Sequence, residues 1–340
     1  MKNTAAVLYA PGVVRLEERP IPRPGPYDVL VEVKAVGVCG SDVHYYEHGR
    51  IGHFIVREPL VLGHECSGII VDVGEKVSRR RIGERVAIEP GVPCGRCREC
   101  RSGYYNLCKE VRFFGTPPVD GAFQRYVLIH EDFAFPIPEG ISDETAALIE
   151  PLSVGLWACR KACLRGGDTV LITGAGPIGL LTLAVARALG AAKTIVTDVN
   201  RARLEHAKQL GATLVWNVAE SPLTEAGIEV DAFIECSGQQ SALIDGLRAL
   251  RPAGRAIIVG MSPNEDATIP LALLQNREII LTGVFRYANT FADAVAMVAA
   301  GRIRPETIIS ARYTLEEIER ALQMAREDPS KIKAIVLPQP

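Results

Sequence analysis

The chain has 340 residues, 48% of them hydrophobic and 23% charged, with a formal net charge of -2. That length suits two domains, or at most three, each with its own core. The balanced charge offers no basic field for nucleic acid or for an anionic membrane.

In chain order, residues 5–9 form a strand-like start with no leader-peptide architecture, so a cytoplasmic protein is expected. Short apolar runs at 29–36, 68–73, 85–88 and 123–129 are separated by turn residues, the pattern of an irregular antiparallel barrel. From about residue 152 strands and helices alternate. Strands are predicted at 169–173, 194–198, 213–216, 230–236, 256–259 and 279–283, and helices at 178–189, 201–210 and 240–250. Such alternation implies a doubly wound parallel sheet with helices on both faces. The uncharged run 169–186 is just long enough for a membrane span, but Gly174, Gly176, Pro177 and Gly179 break its middle. Two helices at 290–300 and 315–326 and a strand at 333–337 end the chain. They are too short for a domain and are expected to pack back on the N-terminal one. The boundaries are then 1–151 with 288–340 for the first domain and 152–287 for the inserted one.

Nine cysteines are an odd count, and in a cytosolic chain their clustering favours metal ligation over disulfides. Cys94, Cys97, Cys100 and Cys108 follow a C-x2-C-x2-C-x7-C spacing in a polar loop. Four thiolates close a tetrahedron around zinc and leave no place for substrate, so this site is read as structural. A second, scattered set comprises Cys39, His64, Glu65 and Glu150. Cys39 and the His64-Glu65 pair stand at glycine-adjacent bends after apolar strands, and Glu150 interrupts an apolar stretch where a buried carboxylate needs a partner. Mixed sulfur, nitrogen and oxygen ligands can keep one position open for an alcohol, as catalytic zinc requires. Whether Glu65 and Glu150 both bind directly stays open.

The segment Gly174-Ala175-Gly176-Pro177-Ile178-Gly179 follows an apolar strand and opens an apolar helix, and Asp198 ends the next strand. That context makes a dinucleotide turn of G-x-G-x-x-G. Gly174 makes the tight turn, Gly176 admits the pyrophosphate and Gly179 lets helix and strand pack closely. The helix N-terminus offers its N–H groups to the phosphates. Asp198 would accept hydrogen bonds from the ribose hydroxyls and repel a 2′-phosphate, favouring NAD over NADP. Arg203 is read as contacting the ribose edge or adenine.

Taken together, Gly37-Val38-Cys39-Gly40-Ser41-Asp42-Val43-His44-Tyr45-Tyr46, Leu62-Gly63-His64-Glu65, Ile149-Glu150-Pro151-Leu152 and Val284-Phe285-Arg286-Tyr287 resemble the zinc-dependent medium-chain dehydrogenases, specifically the sorbitol (L-iditol) and xylitol dehydrogenases. The likeness runs along essentially the whole chain. It implies a Rossmann domain beside a GroES-like catalytic barrel, with one catalytic and one structural zinc in each subunit. It also implies a homotetramer or homodimer acting on a small polyol. Cys39, His64 and Glu65 would hold the catalytic metal, with Glu150 at the metal, water and substrate position. Tyr45 and Arg286 would contact the polyol, with Tyr287 nearby. Ile178, Asp198 and Arg203 would contact NAD, and Val259, Gly260, Met261, Val284, Phe285 and Arg286 would flank the nicotinamide. One departure from animal members is the shorter spacing in Phe113-Phe114-Gly115-Thr116.

The implied reaction is hydride transfer from a secondary carbinol to NAD. Zinc would supply the Lewis acidity that lets the hydroxyl ionise, and Ser41 and His44 form the expected relay that returns the proton to water. His48 and His53 are expected to be exposed. Three rival readings remain: a dehydrogenase of L-threonine, 2,3-butanediol or a simple alcohol; a non-catalytic nucleotide-binding protein of the same fold; and a zinc ribbon for nucleic acid, which the charge disfavours.

Overall fold

The structure, a computed structural model, describes residues 2–262, 264 and 266–339. Two compact units emerge, Met1–Glu150 with Phe291–Pro340, and Pro151–Thr290.

The first unit is built on a seven-stranded sheet. Its strands run Ala134–Pro136, Arg85–Ile88, Glu65–Val73, Asp28–Gly37, Lys333–Leu337 and Ile309–Thr314, with Tyr126–His130 also paired to Asp28–Gly37. All pairs are antiparallel except the last two strands, which run parallel. A smaller sheet joins Val13–Arg19, Asn3–Ala10 and Leu60–Val61. Phe123, Ile70, Ile88 and Val31 are fully enclosed, and burying a side chain of that size contributes about 1.5–3 kcal/mol. Strand register matters most for function. Gly37 pairs with Glu65 on one side and with Ile335 on the other, so residues distant in sequence share one sheet end.

The second unit is a six-stranded, wholly parallel sheet. Its order is Leu214–Asn217, Lys193–Asp198, Thr169–Thr173, Val230–Glu235, Leu250–Ile258 and Ile280–Gly283. In sequence rank this is 3-2-1-4-5-6, the doubly wound order whose reversal opens a crevice beyond the carboxyl ends of the first and fourth strands. Helices Pro177–Ala188, Arg201–Gln209 and Gln240–Ala249 follow the expected alternation.

Besides the short helices Arg98–Arg101, Asp143–Ala147 and Leu271–Asn276, two longer helices have no counterpart in the sequence pattern. Gly40–His48 starts directly at Cys39, in a stretch of low helical propensity. Ile149–Lys161 is almost wholly buried until its last turn, so it carries no apolar stripe, and Pro151 reads as a breaker although the first turn tolerates it. Among the described residues no helix is long and apolar enough to cross a membrane.

Candidate active site

The site in the first unit starts from Cys39, the extended residue that caps helix Gly40–His48. Its N–H donates to Asp42 Oδ2 at 2.9 Å, while the other oxygen of Asp42 accepts from the Gly63 N–H at 2.9 Å. One fully buried carboxylate thus ties together the two ligand-bearing bends. Gly63 has φ +90°, a conformation few side chains adopt, and a Cβ there would press on the Phe123 ring. The bend turns His64 inward, where its Nδ1 lies 3.6 Å from Asp42 Oδ1. A carboxylate at Nδ1 leaves Nε2 for a metal, the usual support of a ligating histidine. Burial acts to lower the His64 pKa, but Asp42 and the Cys39 sulfur outweigh it and raise the value well above the ordinary range.

Glu65 opens the adjacent strand and is 1% exposed. A Cβ on Gly37 would collide with its carboxylate, so the sheet partner must be glycine. Lys333, just as deeply buried, donates to Glu65 Oε1 at 2.7 Å and to the Val38 carbonyl at 2.8 Å. Glu65 Oε2 lies 2.5 Å from the same ammonium but without hydrogen-bond alignment, and no donor among the described residues fills it. The donor atoms of Cys39, His64 and Glu65 all fall within 4.8 Å of one another. This donor set fits zinc: one thiolate, one imidazole and one carboxylate with an unfilled oxygen. Glu150 is buried in the same unit but lies outside that group of three. Its charge is felt by Cys66, Glu89 and Lys333, which places it in the same neighbourhood.

Around this cluster, Ser41 is half-buried and His44 exposed on the same helix, while Tyr45 is buried. His48 and His53 are exposed, as expected. Neither Lys333 nor Asp42 is among the expected site residues.

The four-cysteine loop forms the second cluster. Its sulfurs also lie within 4.8 Å of one another, and all four cysteines are free. Backbone N–H groups of Arg96 and Cys97 point at Cys94 and pull its pKa down to about 7, so thiolate is at hand near neutrality. Tyr105, on the same lobe, donates to Glu89 at 2.7 Å. Burial lifts the Glu89 carboxyl to about 7. Three further cysteines, Cys66, Cys159 and Cys236, have thiol pKa values pushed far up by burial; Cys66 and Cys159 are core residues, whereas Cys236 is half-buried.

In the second unit the glycine turn follows Thr169–Thr173. Gly174 has φ +86°, and a Cβ there would press on the backbone of Ser237; among the described residues nothing approaches the position of a Cβ on Gly176. Pro177 occupies the first turn of the helix. Asp198 accepts from the Ala175 N–H at 2.6 Å and from the Asn200 N–H at 2.8 Å. It therefore braces the turn as well as ending its strand. Arg201 pairs with Glu220 at 2.6 Å, and Arg203 is half-buried on the helix that Asn200 caps. The open backbone at Gly176 beside a helix N-terminus, with a carboxylate one strand over, fits a dinucleotide. Val259, Gly260 and Met261 follow the fifth strand, and Val284, Phe285 and Arg286 the sixth. The Arg286 guanidinium lies over the Phe285 ring at 4.8 Å, and Tyr287 is buried. Ile178 is half-buried at the start of its helix.

Comparison with known proteins agrees with this architecture. Residues 25–139 match the family model of the alcohol dehydrogenase GroES-like domain, and residues 177–300 that of the zinc-binding dehydrogenases. The chain is 43% identical over 333 residues to the sorbitol dehydrogenase of Bacillus subtilis (strain 168), covering 95% of this chain and 94% of that protein. It is 42% identical over 334 residues to the probable D-xylulose reductase A of Aspergillus clavatus, covering 95% and 93%. Among solved structures, L-idonate 5-dehydrogenase from Escherichia coli superposes with a TM-score of 0.93 at 33% identity, covering 99% of each chain. The chain belongs to the zinc-dependent medium-chain dehydrogenases, in their sorbitol and xylitol dehydrogenase-like group. It is an oxidoreductase that combines zinc with a nicotinamide cofactor.

Proposed function

We propose that the protein oxidises a secondary hydroxyl of a polyol of the sorbitol and xylitol type to the ketose, with NAD accepting the hydride. The observation that carries this reading is the Cys39, His64 and Glu65 donor group in one chain with a glycine turn braced by a carboxylate. Relatives named for sorbitol and xylulose narrow the substrate class.

Cys39, His64 and Glu65 would hold the catalytic zinc, with Glu150 at the position shared by metal, water and substrate. Zinc so bound would supply Lewis acidity that brings a secondary hydroxyl towards alkoxide near neutral pH. Asp42 orients His64, and Lys333 neutralises Glu65. Ser41 and the exposed His44 carry the proton to solvent. Tyr45, Arg286 and Tyr287 are assigned to the polyol; a guanidinium fork can span two hydroxyls. Gly174, Gly176, Ile178, Gly179, Asp198, Arg203, Val259, Gly260, Met261, Val284, Phe285 and Arg286 are assigned to NAD. The Asp198 carboxylate would repel a 2′-phosphate, which favours NAD over NADP. Cys94, Cys97, Cys100 and Cys108 would hold a second, structural zinc. Residues 1–151 and 288–340 would form the catalytic domain and 152–287 the NAD domain, in a cytoplasmic homotetramer or homodimer.

The test is NADH or NADPH formation from sorbitol, xylitol, L-threonine and 2,3-butanediol, run beside metal analysis. Turnover of sorbitol or xylitol with NAD and two zinc per chain is expected. Turnover confined to L-threonine or 2,3-butanediol would overturn the polyol reading, and stoichiometric zinc without any NAD reduction would favour a non-catalytic protein.

A further inference from the structure

Glu235, the last residue of strand Val230–Glu235, is 2% exposed and plays no part in the assignments above. Its Oε1 accepts from the Ser237 N–H at 2.6 Å, the Ser237 hydroxyl at 2.5 Å and the Gly238 N–H at 3.0 Å. The Thr173 hydroxyl is 3.3 Å from the same oxygen, and Gly238 N is 3.1 Å from Oε2. The main-chain carbonyl of Glu235 accepts from Val259 and Gly260 at 2.8 and 2.9 Å.

These bonds gather three strand ends. Thr173 closes the first strand and precedes the glycine turn, Glu235 closes the fourth, and Val259 and Gly260 follow the fifth. The first and fourth strands are neighbours at the reversal of strand order. A Cβ on Gly174 would stand 3.0 Å from Ser237 Cα, so displacement of the 236–238 loop is passed directly to the turn. A Cβ on Gly260 would stand 2.6 Å from Glu235 Oε2, so the loop after the fifth strand rests on the same carboxylate. An acceptor-only group is what this ring of N–H and O–H donors requires.

We infer that Glu235 is a positioning residue for the cofactor: it locks the glycine turn, the 236–238 loop and the 259–261 segment into one cradle at the switch point. This rests on the nucleotide-binding reading proposed above. The adenosine side depends on Asp198, which besides the Ala175 N–H of the turn has an anchor of its own outside it, the Asn200 N–H. Loss of Glu235 should therefore separate affinity for the whole dinucleotide from affinity for its adenosine half.

The experiment compares the wild-type chain with Glu235→Gln, an isostere that turns a donor towards the Gly238 N–H. NADH is titrated by fluorescence and AMP by displacement, with zinc content and unfolding midpoint measured alongside. The Kd for NADH should rise about tenfold or more, AMP affinity should stay within about twofold, and zinc should be unchanged. A purely structural role predicts a lower midpoint with NADH and AMP affected equally, and that result overturns the inference. So does an NADH affinity within about twofold of wild type. If Glu235→Gln does not fold, Ser237→Ala removes one donor: NADH should weaken about threefold with AMP unchanged, and unchanged NADH overturns the inference. Failure of the wild-type chain to bind NADH at all would sink the nucleotide reading itself and this inference with it.

Discussion

The two cysteine-containing clusters of the first unit solve opposite problems. In the Cys94, Cys97, Cys100 and Cys108 lobe all four donors are sulfur, lie close in sequence and sit in a half-buried loop. In the Cys39, His64 and Glu65 cluster the donors differ in chemistry, arrive from separate bends and are mostly enclosed. In the lobe, the backbone N–H groups of Arg96 and Cys97 within the loop itself stabilise the Cys94 thiolate. The mixed cluster is set among Asp42, Glu150 and the buried Lys333, so its charge balance depends on two helices and a strand distant in sequence. A closed site can be built locally, whereas a site that keeps a vacancy has to be supported from outside.

The sharpest way to break this contrast is Cys39→Ser. Oxidation should fall on the order of a thousandfold or more, because electrophilic stabilisation by a metal is worth several kcal/mol. NADH titration of the same protein should remain near wild type. Loss of NADH binding in parallel would show that the mixed cluster is only structural.

Next in size is Lys333→Met. Removing one partner of a buried ion pair costs about 3–5 kcal/mol. The cost should appear in denaturant unfolding of zinc-free protein and shrink in zinc-loaded protein, where the metal takes over the Glu65 charge. An equal loss in both forms would mean that Lys333 does not serve the metal site.

For the lobe, Cys97→Ser should reduce zinc from two to one per chain and lower the unfolding midpoint by roughly 5 °C or more. Polyol turnover below that midpoint should persist. Its disappearance would erase the distinction between structural and catalytic metal.

The smallest effect concerns Glu89, which links the lobe through Tyr105 to the field of Glu150. Its folded pKa of about 7 stands above the ordinary carboxyl value of 4.5, chiefly because of burial. The folded state therefore holds the proton more tightly, and stability present below about pH 4.5 is lost as pH rises through about 7. Glu89→Gln should thus be more stable than wild type by about 1–3 kcal/mol at pH 8, with the gap closing towards pH 5. A pH-independent difference between the two proteins would refute this assignment.

How much was legible in the sequence follows the same contrast. The cysteine lobe is readable from spacing alone because its geometry is local. The glycine turn is readable because strand, turn, helix and the acid ending the next strand occur in order. Cys39, His64 and Glu65 are readable as pieces, but only the Gly37 pairing with Glu65 and Ile335 shows why Lys333 joins them. In sequence Lys333 is an unremarked residue opening a short strand. Asp42 lies in plain view within the Cys39 motif, yet its double role depends on the Gly63 bend 21 positions away. Glu235 lies in plain view near the end of the strand predicted at 230–236, yet its role depends on the 236–238 loop and on the segment after the fifth strand. Helix Ile149–Lys161 left none, because burial on nearly every side removes the periodicity by which helices are recognised.

The lysine that neutralises Glu65 lies 268 positions further along the chain. During synthesis on a ribosome, the thiol, imidazole and carboxylate would emerge long before that ammonium exists. A nascent chain stalled ahead of Lys333 would carry every catalytic-metal donor but not the positive charge that allows Glu65 to be enclosed. Secure capture of the ion would thus be an event of the finished polypeptide, and a fragment ending in the inserted sheet should bind it loosely.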